Sequence, residues 1–206
     1  MLNLGKAVKM ESADQGIALI TGGASGIGFA VAKALGLAGF TVAVLGSTPE
    51  SGQRAAVQLG ELGISAVGDG ADLADFSAVS LLRERLGPLA RPQILVCSAG
   101  VMSEKMSKTL KSTPQDWDRV MGINLFGVVN TLTHFAPPMV ESRSGRVIAL
   151  SACLGRFSGP GTSGGLAPYR VSKAALNALI RNFAAETGWG SRGVLVDAVC
   201  PNHCRT

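Results

Sequence analysis

The chain has 206 residues, of which 47% are hydrophobic, 16% charged and 27 are glycine, with a mean hydropathy of +0.31. That length fits one domain with a sizeable core, and so apolar and weakly charged a chain is not a disordered one. No apolar run approaches the roughly 18 residues of a membrane-spanning helix, so the hydrophobicity belongs in a buried core. Ten side chains are aromatic, and Tyr169 is the only tyrosine. The core must be packed from Ala, Val, Leu and Ile, which suits parallel strands covered by helices on both faces.

The formal charge of +5 is unevenly placed: residues 1–103 are nearly balanced and 104–206 carry the excess. The basic positions are scattered and lack neighbouring aromatics, which speaks against nucleic acid. Lys105, Lys108 and Lys111 read as a solvated face, and an anionic small molecule is the more economical partner. The N-terminal stretch is broken by Lys6, Lys9, Glu11 and Asp14 and does not resemble a secretory signal. Cytoplasmic thiols are therefore expected at Cys97, Cys153, Cys200 and Cys204. His203 between the last two does not complete a structural metal site, and none is expected.

Residues 1–15 read as a loose lead-in. Ile17-Ala18-Leu19-Ile20 is then a short buried strand, followed by a glycine-rich turn and a helix over 27–38 that ends at Gly39. Thr41 to Leu45 is a second strand. A helix over 49–62 carries Pro49 in its first turn. A third strand is expected over 64–67, a helix over 75–86 and a fourth strand over 94–97. A long helical region spans about 113–140, opened by Thr113 as cap and Pro114 at the first helical position. A fifth strand over 146–150, a helix over 168–186 and a sixth strand over 194–199 complete the pattern. Alternating strands and helices imply right-handed crossovers and one parallel sheet in an α/β fold. No second domain or internal repeat is visible.

Three local patterns carry chemistry. The turn Thr21-Gly22-Gly23-Ala24-Ser25-Gly26-Ile27-Gly28 joins a strand to a helix. There Gly22 permits a tight turn, Gly26 close approach of a phosphate, and Gly28 close helix–sheet packing. The helix N-terminus offers N–H groups to a pyrophosphate. Read blandly, it is only a tight connection. In Tyr169-Arg170-Val171-Ser172-Lys173, four-residue spacing puts phenol and ammonium on one helix face. A free tyrosine titrates near 10 and is a poor acid–base at neutral pH, whereas a nearby cation stabilises its phenolate. The bland reading is an amphipathic helix with a surface lysine. Ser151 ends the fifth strand, at the sheet edge where α/β proteins bind ligands, yet alone it reads as a loop or cap residue. Asn124 lies in a helical pattern to which asparagine is poorly suited.

Thr-Gly-x-x-x-Gly-x-Gly, Asn124, Ser151 and Tyr-x-x-x-Lys, in this order, resemble the short-chain dehydrogenase/reductase family from about Gly16 onward. Tyr-Arg-Val-Ser-Lys and the close of the chain are most similar to carbonyl-reductase-like members. The resemblance implies a Rossmann-like doubly wound sheet and an NAD(P)-dependent oxidoreductase acting on a carbonyl or alcohol. It makes Tyr169 the general acid/base, and Ser151 the residue that polarises the carbonyl. Lys173 lowers the tyrosine pKa and holds the nicotinamide ribose, and Asn124 supports a water path to the lysine. It implies cofactor contacts at Thr21, Gly22, Ser25, Gly26, Ile27, Gly28, Ser47, Thr48, Asp72, Leu73, Ser98, Ala99, Gly100, Tyr169, Lys173, Pro201 and Thr206. It also implies a homodimer or homotetramer paired through the helices around 113–140 and 168–187.

The chain departs from the family pattern in four places. Cys97-Ser98 replaces a pair of asparagines before Ala99-Gly100. No acid follows the second strand, where NAD-preferring members hold the ribose hydroxyls; Ser47, Thr48 and Arg54 there favour NADP. Ser151 and Tyr169 are spaced more widely than usual, with Gly159 to Gly165 between them. The chain also ends near Pro201 and Thr206, before the family's substrate-covering loop and seventh strand. On that ground the alternative is a catalytically weak or silent nucleotide-binding or partner-binding protein.

Overall fold

The structure, a computed structural model, describes residues 15–103, 108–159 and 164–201. Its strands are β1 (Ile17–Thr21), β2 (Thr41–Gly46), β3 (Ala66–Gly70), β4 (Ile94–Cys97), β5 (Gly145–Leu150) and β6 (Val194–Val199). All pair in parallel, in the order β3-β2-β1-β4-β5-β6. The helices are α1 (Gly26–Leu37), α2 (Pro49–Gly60), α3 (Phe76–Leu86), α4 (Pro114–Met121), α5 (Gly127–Phe135), α6 (Pro137–Ser142) and α7 (Ala167–Glu186). After β3 the chain crosses the sheet to place β4 beside β1. The strand order reverses between β1 and β4, and ligands of doubly wound sheets bind in that crevice.

Alternation along the strands divides the core into two layers. Leu19, Leu45, Leu95 and Val147 point to one face and pack with Val79, Leu82, Phe135, Leu176 and Ile180. Ala18, Ile20, Val44 and Val96 point to the other and pack with Ala32, Ala55 and Leu59. Each fully buried Leu, Ile or Val side chain contributes about 1.5–3 kcal/mol relative to exposure. A sheet covered on both faces therefore needs the near-continuous apolar strands that the sequence supplies.

Helix starts follow local chemistry. Thr48 and Ser51 form a reciprocal capping box at α2, with Pro49 in its first turn. The Asp75 carboxylate accepts from Ser77 N and Ala78 N at 2.8 and 3.1 Å, and Thr113 Oγ1 accepts from Asp116 N. Each satisfies donors that the first helical turn leaves open.

Two expected elements differ. The third strand lies at Ala66–Gly70, later than 64–67. Ile64 is instead buried against the α1–α2 layer, and the pairing of β3 with β2 starts at Ala66. A Cβ on Gly68 would collide with the Gly52 carbonyl, and one on Gly52 with the Asp69 backbone. Helix α2 and β3 thus meet backbone to backbone, and the strand is glycine-rich rather than apolar. The helical region over 113–140 is not continuous. A π-helical turn, Gly122–Phe126, separates α4 from α5, and Pro137-Pro138 starts α6 afresh, because proline lacks the N–H that a continuing helix needs.

Candidate active site

The glycine turn sits where β1 and β4 diverge. Gly22 has φ +64°, and a Cβ there would lie 2.7 Å from the backbone N and Cα of Ala99. Thr21 Oγ1 accepts from Ala99 N at 3.4 Å, and Thr21 O accepts from Ser98 N at 3.2 Å. The turn and the end of β4 are therefore stitched together, with no space for side chains at the seam. Gly28 is buried, and a Cβ on it would strike the Gly22 carbonyl. Ser25 caps α1 in an extended conformation without a side-chain cap bond, and no acid occupies the first turn. The N-terminal turn, with Ser25 and Gly26 exposed and Ile27 half-buried, thus presents backbone N–H groups and the positive dipole end to solvent.

Other expected cofactor positions line the same edge. Ser47 and Thr48 are exposed after β2, and Thr48 Oγ1 already accepts from Ser51 N at 3.3 Å. Asp72 is exposed, and its carboxylate accepts from Ala74 N at 2.9 Å. Leu73 is a core residue, and its carbonyl accepts from Asn130 Nδ2 at 2.8 Å. Gly100 faces the lysine site: a Cβ on it would lie 3.3 Å from Asn124 Oδ1 and 3.5 Å from Lys173 Nζ. Pro201 is half-buried beyond β6. Thr206, like His203 and Cys204, lies outside the described residues.

Asn124, Ser151, Tyr169 and Lys173 are brought to one place. Asn124 sits in the π-helical turn, fully buried. Its Oδ1 accepts from Val101 N at 2.7 Å. Its Nδ2 donates to Val101 O at 2.9 Å and to Ser172 Oγ at 3.0 Å. Ser172 Oγ in turn donates to Tyr169 O at 2.8 Å. One carboxamide thereby joins the loop after β4 to the helix that carries Tyr169 and Lys173. Lys173 Nζ donates to Leu150 O, the residue before Ser151, at 2.7 Å, and stands 5.8 Å from the centroid of the Tyr169 ring. Ser151 directly follows β5, with its N–H donating to Val199 O at 2.8 Å.

Burial sets the electrostatics. It pulls Lys173 down to about 8, against a smaller opposing influence of Cys97. It pushes the Cys97 thiol up to about 12. Cys97 therefore stays a neutral, packed thiol, a small core residue where the family pattern has an asparagine. Tyr169 is also raised, by burial first and then by the Cys153 and Cys200 thiols. Burial is thus the leading influence on the Tyr169 phenol.

Sequence reasoning passed over Ser172 and Asn177. Ser172 lies inside the Tyr-x-x-x-Lys spacer. Asn177 lies one further turn down α7, and Tyr169, Lys173 and Asn177 recur at four-residue intervals on one face. That period was the available signal.

A doubly wound sheet of order 3-2-1-4-5-6, with a glycine-rich turn at its reversal point and a Ser–Tyr–Lys–Asn cluster at the same edge, is the architecture of a dinucleotide-dependent enzyme class. The family model described as short chain dehydrogenase matches residues 16–206, and the chain belongs to that family. Among curated proteins it is 33% identical over 200 residues to a C alpha-dehydrogenase of Sphingobium sp. strain NBRC 103272 / SYK-6. That match covers 96% of this chain and 63% of the relative. It is 32% identical to the 3-oxoacyl-[acyl-carrier-protein] reductase FabG of Staphylococcus aureus, over 89% of this chain and 72% of that one. The chain thus spans about two thirds of the length of these relatives. Among solved structures, a gluconate 5-dehydrogenase from Burkholderia cenocepacia in complex with NADP and tartrate is similar with a TM-score of 0.84 and 25% identity, covering 94% of this chain and 73% of that one. The apo form of LigD from Sphingobium sp. strain SYK-6 gives 0.81 and 31%, covering 92% and 79%.

Proposed function

We propose that the protein is an NAD(P)-dependent oxidoreductase of the carbonyl-reductase type, acting on a small carbonyl or alcohol. The carrying observation is the convergence of Ser151, Tyr169 and Lys173 on the sheet edge that also bears the glycine turn. Residues present fit a dinucleotide. Gly22 and Gly28 let the turn pack directly on the Ala99 and Gly22 backbones, with no Cβ tolerated at either position, and the first turn of α1 carries no acid to repel a pyrophosphate. Gly22, Ser25, Gly26, Ile27 and Gly28 would hold the phosphates, with Asp72 and Leu73 at the adenine end and Ser98, Ala99, Gly100 and Pro201 along the crevice. Lys173 would hold the nicotinamide ribose. The absence of a carboxylate at Ser47-Thr48 removes repulsion of a 2′-phosphate and favours NADP.

When bound, the nicotinamide supplies or accepts a hydride at the substrate carbon. Tyr169 Oη moves the proton at the substrate oxygen. Its raised pKa keeps the phenol protonated at neutral pH, which suits donation to a forming alkoxide, the reductive direction. Lys173, bonded to Leu150 O, keeps a cation beside the ring. Asn124 fixes the loop after β4 against α7 and supports a water path toward the lysine.

The outer face of α7 supports pairing with a second copy of the chain. Phe157 is 94% exposed and Trp189 65%, and they flank an apolar groove that also includes Val171, Ala175 and Ala178. No helix of the described residues is long and apolar enough to cross a membrane, and we place the protein in the cytoplasm. The test is turnover of a carbonyl panel with NADPH and NADH beside Tyr169→Phe. The expected result is activity that the variant loses while still binding dinucleotide. An active Tyr169→Phe overturns the assignment. Dinucleotide binding without turnover by the native chain would favour the silent-binder reading.

A further inference from the structure

Helix α7 begins without a cap of its own. Leu166 at its N-cap is left-handed, with φ 54°, and makes no side-chain cap bond. Pro168 has no N–H, and the first intrahelical bond runs from Arg170 N to Leu166 O at 2.9 Å. The Tyr169 N–H is therefore a donor that the first turn leaves open. Its partner comes from far along the chain: Ser103 Oγ accepts from Tyr169 N at 3.3 Å. A helix is ordinarily capped by a polar side chain just before it, whereas this hydroxyl sits on the loop after β4. Ser103 is 7% exposed, so water competes weakly for the bond.

That loop is tied along its length. Ala99 N donates to Thr21 Oγ1 in the seam with the glycine turn. Val101 N and O are both bonded to the Asn124 carboxamide. Met102 O accepts from Arg119 Nη2 at 2.8 Å, and Ser103 follows on Tyr169. Residues 99–103 thus form a strut from the glycine turn to the helix that carries the phenol. The Tyr169 backbone is held on its other side too, since its carbonyl accepts from Ser172 Oγ at 2.8 Å. Both polar backbone atoms of the tyrosine are therefore gripped by serine hydroxyls.

Resting on the oxidoreductase reading above, we propose that Ser103 is a positioning residue: it caps α7 from outside the helix and fixes Tyr169 against the loop that leads from the glycine turn. It needs no contact with the reacting atoms. It acts through the Tyr169 backbone, and so through the place at which the phenol meets the substrate oxygen.

Kinetics with NADPH and one accepted carbonyl substrate, beside amide hydrogen exchange followed by NMR, test the assignment. Ser103→Ala is expected to lower kcat about tenfold, with substrate KM and NADPH affinity within about twofold of native. In that variant the Tyr169 amide should exchange about tenfold faster, while the Arg170 amide stays protected by Leu166 O. Ser103→Thr and Ser103→Val share a shape and differ in the hydroxyl. The threonine variant is expected to keep kcat within about threefold of native, and the valine variant to match alanine. Asp75→Ala removes the cap of α3 and controls for stability. It should lower Tm as Ser103→Ala does and leave kcat native.

Native kcat in Ser103→Ala overturns the proposal. So do equal kcat values in the threonine and valine variants, or a Tyr169 amide that is unprotected in the native protein. A kcat loss in Asp75→Ala equal to that in Ser103→Ala also overturns it, because turnover would then follow stability alone. If Ser103→Ala does not fold, the threonine and valine pair carries the decision. The exchange measurement needs no turnover. An active Tyr169→Phe sinks the oxidoreductase reading, whereas native kcat across the Ser103 variants sinks this proposal alone.

Discussion

The two halves of the sheet edge are built on opposite plans. Around β1 and α1 the site is made of backbone: Gly22 against Ala99, Gly28 against Gly22, and a helix end with no capping side chain. Around β5 and α7 it is made of side chains tied in chains of hydrogen bonds. One chain runs from Val101 through Asn124 and Ser172 to Tyr169, and another from Ser151 through Asn177 to Gly155. A backbone cradle recognises a group that is the same in every turnover. A side-chain cluster must place single protons, and it does so with acceptors and donors of fixed polarity. The difference teaches that the first half tolerates no added atom, while the second tolerates no changed atom.

The comparison can be broken from either side. The largest effect is expected at Tyr169→Phe. Removing one oxygen should cost about 10³-fold in turnover while dinucleotide affinity, measured by fluorescence titration, stays native. Parallel loss of affinity would mean that the two halves are not separable. Next is Gly22→Val. A branched side chain at φ +64°, aimed at the Ala99 backbone, should destabilise the fold by about 3 kcal/mol and abolish dinucleotide binding. Calorimetry showing full binding would refute the cradle.

Lys173→Met sharpens the comparison through pH. Burial holds the lysine at about 8 rather than 10.5, so between those values the unfolded chain binds the proton that the native one releases. Stability therefore rises with pH across that window, and the full cost of the buried cation, about 3 kcal/mol, is present below pH 8. Methionine removes this cost and forfeits the bond to Leu150 O. Thermal unfolding should show the variant gaining on the native protein at pH 6 relative to pH 10, with turnover lost at both. An identical difference in Tm at the two pH values would contradict it. The smallest effect belongs to Thr48→Ala, which removes the α2 cap at a cost of about 1 kcal/mol. It should leave kcat unchanged and raise KM for NADPH more than for NADH; equal shifts would remove Thr48 from the cofactor site.

The contrast also explains what could be read from the residues. Ile17 to Thr21, Thr41 to Gly46 and Ile94 to Cys97 are apolar runs bounded by turns, and they are strands in the structure. The glycine turn was legible because its signal is local, a lack of side chains between a strand and a helix. Tyr169 and Lys173 were legible for the same reason. β3 was displaced because its signal is set by the close approach of Gly52, far along the chain. The break at Gly122–Phe126 could not be read from periodicity, and Gly122 and Asn124 signalled only a weak helix there, not a π turn. Asn177 was missed because a polar residue on a half-exposed helix reads as a solvated face until Ser151 is seen opposite it.

The π-helical turn has one more consequence. Its i→i+5 bonding accommodates an extra residue, and each residue of an α-helix turns the next by about 100°. The turn therefore absorbs one residue without turning the buried stripe of α4, Asp116 and Val120, away from that of α5, Val128, Leu132 and Phe135. Deleting one residue from 122–126 would leave the two stripes aligned but close the wide turn that seats Asn124, whereas adding one would rotate α5 by about 100°. The spacing between Thr113 and Pro137 is thus as fixed as any side chain in the site, a constraint written in chain length rather than in residue identity.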